Sequence, residues 1–310
     1  MTDRRIYQGV IQPRNFPSLP AGWISDWETF PSSDGSLQLY SVMHHPQDWK
    51  GERTLVVLHG LGEHGGRYLH FPHYLQSVVD GVYCLDHRGH GRSEGTRGHV
   101  ESFDLFVNDL VTAIERLHQN LIQRFGHAEI HLFAHSMGGL IALRTLLAHS
   151  HLPLRSVAIS APLLRIALEV PPLKRAVASV IGKVWGSLQM TSEVNAKDLS
   201  HDVAVVTAHG QDRLIHSKIT PQLFNEMLGA MESAMKLSPC ELNYPVQFHI
   251  PLEDRVVSAE AALDFFRNFR SPQKSLKTYP HFYHEAFNEL KKEEPFSDLL
   301  DWLLLQRTES

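Results

Sequence analysis

The chain has 310 residues, enough to bury a large core as one α/β domain or as a core with an insertion. Its 43% apolar and 20% charged residues are ordinary for a soluble globular protein, and a net charge of −5 argues against nucleic acid, whose phosphates need clustered cations. No stretch approaches the roughly 18 continuous apolar residues of a membrane span.

Residues 1–25 are polar and proline-rich (Pro13, Pro17, Pro20) and are expected to form an extended N-terminal arm. Met1-Thr2-Asp3-Arg4-Arg5 has no apolar run behind it, so no secretory signal is expected and a cytoplasmic setting is. From Trp27 to His45 two strand-like runs flank Pro31-Ser32-Ser33-Asp34-Gly35, a turn signal between antiparallel strands. Thr54-Leu55-Val56-Val57-Leu58 is a continuous apolar run of the kind buried in a parallel sheet. It leads into His59-Gly60-Leu61-Gly62-Glu63-His64-Gly65-Gly66-Arg67-Tyr68. A helical stretch to Val79, a strand at Val82–Leu85 and the loop from Asp86 to Ser93 come next. Cys84, in that strand, and Cys240 make no disulfide framework. Residues 103–125 place Phe106, Leu110, Ile114, Leu117, Leu121 and Phe125 at helical spacing.

The apolar run Ile130-His131-Leu132-Phe133-Ala134-His135 then ends at Ser136, and Leu140–Leu147 behind it reads as a buried helix. Strand, sharp turn carrying serine, helix is the nucleophile-elbow pattern, close to G-x-S-x-G. So tight a turn needs nearly side-chain-free residues two before and two after the serine, and these are Ala134 and Gly138. Another strand, Ser156–Ser160, follows. The alternation then breaks: residues 163–241 hold two amphipathic stretches, one from Leu173 to Leu188 and one from Leu223 to Met235, with an ambiguous strand at Val203–Thr207. A helical cap inserted over the sheet is expected here, dividing the core into 26–162 and 242–310. Strands at Val246–Ile250 and Leu276–Tyr279, a helix capped by Ser258 and a closing helix from Phe296 to Leu304 complete the pattern. The fold class is α/β, a mostly parallel sheet covered on both faces.

Gly60-Leu61-Gly62-Glu63-His64-Gly65 is a literal G-x-G-x-x-G after a strand, with Asp86 at the end of the next one, which admits a dinucleotide site. Against that, the helix should begin within the glycines to aim its N-terminus at a pyrophosphate, and Glu63, His64, Arg67 and Tyr68 crowd the position. The same residues fit an HG-x-G loop that donates an oxyanion N–H. Together with Asp86-His87-Arg88-Gly89-His90-Gly91-Arg92-Ser93, His135-Ser136-Met137-Gly138-Gly139, Ser160-Ala161-Pro162 and His284-Glu285, the chain resembles the α/β-hydrolases of the monoacylglycerol lipase and lysophospholipase branch, which includes serine aminopeptidase-like members. Ala134 departs from that pattern, which usually has glycine there.

The fold's order is Ser, then Asp or Glu, then His, with the acid after one late strand and the histidine after the last. Glu253 and Asp254 occupy the first slot, His281 and His284 the second. The resemblance aligns Asp254-Arg255-Val256-Val257 with the acid loop, and the His284-Glu285 pair favours His284. Asp212, in an acid-loop-like His209-Gly210-Gln211-Asp212, has no firm strand before it and is read as structural. The expected site is Ser136 as nucleophile, Asp254 as acid and His284 as base, with the backbone N–H groups of Leu61 and Met137 as oxyanion hole.

The 21 histidines show no zinc-type spacing, so no metal and no cofactor is expected. His59 and His135 are read as buried supports, and Glu63 with Arg67 as an ion pair. Met227, Met231 and Met235 lie on one helical stripe, either core or the wall of an adaptable apolar channel. The implied activity is hydrolysis of a monoacylglycerol- or lysophospholipid-like ester, with transient contact between the cap and a membrane surface. The competing readings are another serine hydrolase, such as a thioesterase or peptidase, and a non-catalytic binding protein on the same scaffold.

Overall fold

The computed structural model describes residues 8–167, 186–192 and 194–306. Eight strands form one sheet: β1 (Trp23–Pro31), β2 (Gln38–Pro46), β3 (Thr54–Leu58), β4 (Gly81–Leu85), β5 (Ile130–His135), β6 (Ser156–Ser160), β7 (Val246–Pro251) and β8 (Lys274–Tyr279). Their spatial order is β1-β2-β4-β3-β5-β6-β7-β8, antiparallel at β1–β2 and β2–β4 and parallel from β4 onward. The helices are α1 (Phe71–Leu75), α2 (Asp104–Phe125), α3 (Met137–Ala148), α4 (Val203–Gln211), α5 (Pro221–Lys236), α6 (Ala259–Asn268) and α7 (Glu293–Leu305).

Two apolar clusters show why the central strands are unbroken runs. In β3, Leu55 and Val57 face one cluster with Phe71 of α1 and Trp302 of α7, while Val56 and Leu58 face the other with Leu110 of α2 and Leu140 of α3. A strand covered on both faces has no solvent side on which to place polar residues. β8, at the sheet's edge, is instead half-exposed along most of its length.

Three local expectations need correction. The helical stretch ending at Val79 is one short helix, α1, followed by turns in which the N–H groups of Val78 and Val79 donate to the Leu75 carbonyl. The ambiguous strand Val203–Thr207 is the first part of α4. Its β-branched residues suggest a strand, but Asp202 caps the helix by accepting from Ala204 N–H at 2.9 Å, and burial of Val205 and Ala208 fixes one face. The described part of the arm is not simply extended: Phe16 N–H donates to Pro13 O and Trp23 N–H to Pro20 O, closing two turns.

Between β6 and β7 the described part of 163–241 contains α4, α5 and a two-residue pairing of Met190–Thr191 with Lys218–Ile219. The stretch expected from Leu173 to Leu188 lies outside the described residues up to Trp185. α5 covers the amphipathic stretch expected from Leu223 to Met235, and it starts at a cap in which the Thr220 hydroxyl accepts from Leu223 N–H, with Pro221 in the first turn. Of its methionine stripe, Met227 and Met231 are buried and Met235 is half-buried. No helix among the described residues is long and apolar enough to cross a membrane.

Candidate active site

Ser136 stands between β5 and α3 with φ 54° and ψ −118°, a backbone conformation that L-residues avoid at a cost of roughly 1–3 kcal/mol. The neighbouring chain over-determines it. Ser136 N–H donates to Ser160 O at 3.0 Å, and its carbonyl accepts from Leu140 N–H at 3.1 Å and Leu163 N–H at 3.0 Å. A Cβ on Gly138 would stand 2.6 Å from the His59 carbonyl oxygen and 2.9 Å from that of Leu58, so only glycine fits there. Ala134, the departure from the usual glycine, is fully buried on β5.

The sheet brings Ser136, Asp254 and His284 together from three strand ends. His284 Nε2 lies 2.9 Å from Ser136 Oγ, and His284 Nδ1 lies 2.7 Å from Asp254 Oδ2. The other Asp254 oxygen accepts from Val256 N–H at 2.8 Å and Val257 N–H at 2.9 Å, which orients the carboxylate. With Nδ1–H donated to Asp254, Nε2 is left to accept from the serine hydroxyl. Burial alone would pull the His284 pKa down, but the Asp254 charge and hydrogen bond, with Glu285 and Glu63 behind them, hold it above its ordinary value. The alternatives lie elsewhere. Glu253 and His281 pair with each other at 3.0 Å on the surface, and Asp212 binds His64 at 3.1 Å.

Leu61 and Met137 flank the serine. Met137 N–H is the first of α3, one of the four donors that a helix leaves without an internal partner. The Gly60–Leu61 peptide is pinned from its carbonyl side, where His59 Nδ1–H donates to Gly60 O at 2.8 Å. His87 N–H donates to His59 Nε2 at 3.0 Å, which fixes that tautomer. A trans peptide puts N–H opposite C=O, so the same bond turns Leu61 N–H away from His59. Burial, reinforced by the neighbouring His87 and His90, keeps the His59 imidazole neutral, its pKa well below the ordinary value.

Glu63 and Arg67 form the expected ion pair at 2.5 Å, within a larger buried network. Glu63 also accepts from Gly60 N–H at 2.5 Å and from the Tyr68 hydroxyl at 2.9 Å. Arg67 reaches across to Glu285 with two bonds of 2.6 and 2.7 Å, and Asn288 donates to the same carboxylate. Sequence reasoning gave Glu285 no role. Its position directly after the histidine was the available signal, but its partner is 218 residues away.

The network also closes the dinucleotide reading. The Glu63 carboxylate occupies the Gly60 N–H, and Asp86 accepts from Gly65 N–H at 2.7 Å and Arg92 N–H at 2.8 Å.

A cavity of about 230 Å³ opens beside Ser136 and His284. Leu163, Ile166, Val194, Ile219, Phe224 and Met227 supply apolar wall, so the methionine stripe divides: Met227 lines the cavity and Met231 packs in the core. Glu63, Arg67, Glu285 and His209 supply polar wall, and burial lowers the His209 pKa with further effects from the Arg67 and Glu285 charges.

The profile of the serine aminopeptidase S33 family matches residues 50–291. A monoacylglycerol lipase of Mycolicibacterium smegmatis is 29% identical over 278 residues, covering 89% of this chain and 96% of that protein. An uncharacterized abhydrolase domain-containing protein of Dictyostelium discoideum is 31% identical over 259 residues; the match spans 81% of this chain but only 26% of that longer protein. The crystal structure of Paleococcus ferrophilus monoacylglycerol lipase superposes with a TM-score of 0.75 at 27% identity, covering 87% of this chain and 99% of that one. The fold is that of the α/β-hydrolases.

Proposed function

This chain belongs to the serine aminopeptidase S33 family of α/β-hydrolases, and from that membership we propose that it hydrolyses monoacylglycerol-like carboxylic esters through an acyl-enzyme on Ser136. The observation that carries the reading is the bonded series Ser136–His284–Asp254 at 2.9 and 2.7 Å, opening on a largely apolar cavity. His284 takes the serine proton as Oγ attacks the ester carbonyl, and Asp254 holds the tautomer and stabilises the imidazolium. The N–H groups of Leu61 and Met137 receive the oxyanion, each worth about 3 kcal/mol in the transition state. His284 then gives its proton to the leaving alcohol, and water repeats the attack on the acyl-enzyme. No step needs a cofactor. Residues 163–241 act as a cap domain over a core of 26–162 and 242–310, following the arm at 1–25. The exposed Met190, Val194 and Val203 offer the cap a membrane-surface contact. Unpaired Cys84 and Cys240 accord with a cytoplasmic setting.

The polar wall favours a neutral leaving group. Arg67 is the only lysine or arginine among the described lining residues, and two carboxylates already hold it, leaving the network with a net charge of −1. A phosphate-bearing leaving group, as in a lysophospholipid or an acyl-CoA thioester, meets no free cation among those described residues. An α-ammonium group, as in an aminopeptidase substrate, finds both carboxylates paired. Glycerol hydroxyls can use His209, whose neutral ring both donates and accepts. The expected result is kcat/KM about 10–100-fold higher for monoacylglycerol than for lysophosphatidylglycerol, acyl-CoA or an aminoacyl anilide of comparable hydrophobicity. Faster turnover of the phosphate-bearing esters would refute the leaving-group assignment. Absence of Ser136-dependent fluorophosphonate labelling would favour the binding-protein reading.

A further inference from the structure

Asp212, the acid of the sequence's second acid-loop-like motif, is the meeting point of three segments. Its Oδ2 accepts from Ile11 N–H of the arm at 2.9 Å and from His64 Nε2–H of the glycine loop at 3.1 Å. Its Oδ1 accepts from Leu214 N–H at 2.8 Å. His64 is a donor here because its Nδ1 accepts from Gly66 N–H, which leaves the proton on Nε2. Both side chains are buried.

The arm goes on to alternate its anchors. Gln12 donates to Gly66 O of the core at 2.6 Å. Asn15 donates at 2.6 Å to Asp202, the carboxylate that caps α4. The centroid of the Phe16 ring lies 4.4 Å from that of His70, and the Lys292 ammonium lies 4.6 Å from the Phe16 ring centroid. Just beyond Asp212 the insertion rests directly on the loop that carries Leu61: His216 N–H donates to Gly62 O at 2.9 Å, and a Cβ on Gly62 would stand 2.4 Å from the His216 carbonyl oxygen.

We infer that residues 8–16 are a strap that fastens the 163–241 insertion to the loop carrying Leu61, which makes the strap and Asp212 positioning elements for catalysis. The inference rests on the ester-hydrolase reading above. An oxyanion donor acts only when held within tenths of an ångström of the developing charge, so slack in this loop lowers kcat. Slack in the insertion moves the cavity roof and raises KM. Asp212 joins both through one carboxylate, whereas Asn15 reaches the insertion alone.

The test replaces residues 8–16 by a Gly-Ser sequence of equal length, leaving core and insertion unchanged, and makes Asp212→Asn separately and in combination. Hydrogen exchange of residues 60–66 and 203–216 is expected to accelerate about tenfold in both single variants. kcat/KM on a soluble ester is expected to fall about tenfold well below the unfolding temperature, through kcat and KM in the strap variant and chiefly through kcat in Asp212→Asn. The combined variant is expected to be little worse than either, because both cut one linkage. Unchanged exchange and kinetics after strap replacement, or fully additive losses, would overturn the inference. A wild-type protein that cleaves no ester refutes the function proposed above instead, and hydrogen exchange then decides the strap on its own.

Discussion

Asp254→Asn is expected to lower kcat by about four orders of magnitude while leaving the fold intact, the size of the corresponding loss in a serine protease triad. The Asn oxygen can still accept from Val256 and Val257 N–H, as Asp254 Oδ1 does now. Its amide then faces His284 Nδ1 and forces that nitrogen to accept, which puts the ring proton on Nε2 and blocks uptake of the serine proton. The pH profile carries a second signature. Catalysis needs neutral His284, whose pKa is held above its ordinary value, so the acid limb of kcat/KM falls above about pH 6.5 in the wild type. Without the Asp254 charge the imidazolium loses its main support, and the limb of the residual activity moves to lower pH. Stopped assays on a short-chain ester from about pH 6 to 9, the range in which the fold holds, measure both effects. A loss of this size in Asp212→Asn, with Asp254→Asn near wild type, would show the acid to be misassigned.

Acid is expected to unfold the protein as its buried histidines take up protons, before most of its carboxylates titrate. Burial, the leading cause in each case, holds His44, His70 and His249 down to about 3 and His87 and His135 to about 4. Burial also holds His59 and His90 well below their ordinary value. A histidine with a depressed folded pKa binds its proton more readily in the unfolded chain. Stability is therefore fully present above the unfolded value near 6.5 and is lost as pH falls toward the folded value. At pH 5 each of the five costs about 2 kcal/mol, roughly 10 kcal/mol together, comparable to the whole stability of a typical domain. His284 has the opposite sign, since its raised pKa adds stability below 6.5, but it is one group against several. Tryptophan fluorescence should report a cooperative transition with a midpoint above about pH 4.5, and its pH dependence an uptake of at least about five protons. A native spectrum persisting at pH 4 would contradict it.

Regular elements were legible wherever one local pattern carried the structure. Ile130–His135 and Ser156–Ser160 are bracketed apolar runs, and their strands begin and end where those runs do. Ser258 reads as a helix cap and is one, its hydroxyl accepting from Ala261 N–H. Val203–Thr207 misled because propensity favours a strand in β-branched residues, while a cap and a packed face decide otherwise. The site divides in the same way. Residue type and order single out Ser136 and narrow the acid to Glu253 or Asp254 and the base to His281 or His284. The family resemblance chooses Asp254 and His284, and the fold brings His284 within hydrogen-bond reach of both Asp254 and Ser136. What joins distant segments had no local signal. The Glu63–Arg67 pair, four residues apart, was legible, but Asp212 meets His64 148 residues away and Arg67 meets Glu285 218 residues away, and no spacing rule links residues that far apart. The sequence shows which side chains could ionise, and only packing shows which charges meet.

The Arg67 bridge between Glu63 and Glu285 also bears on ionic strength. Exposed pairs such as Lys236–Glu232 lie within reach of mobile ions and weaken as the Debye length shrinks from about 10 Å at 0.1 M to 3 Å at 1 M. Arg67 and its two carboxylates are almost entirely covered by protein, where dissolved ions screen charges much less. The two loops that flank Ser136 and His284 are thus tied by electrostatics that added salt screens only weakly. Turnover of a soluble, uncharged ester should accordingly hold nearly constant from dilute buffer to molar sodium chloride, even as the protein's surface charges are progressively masked.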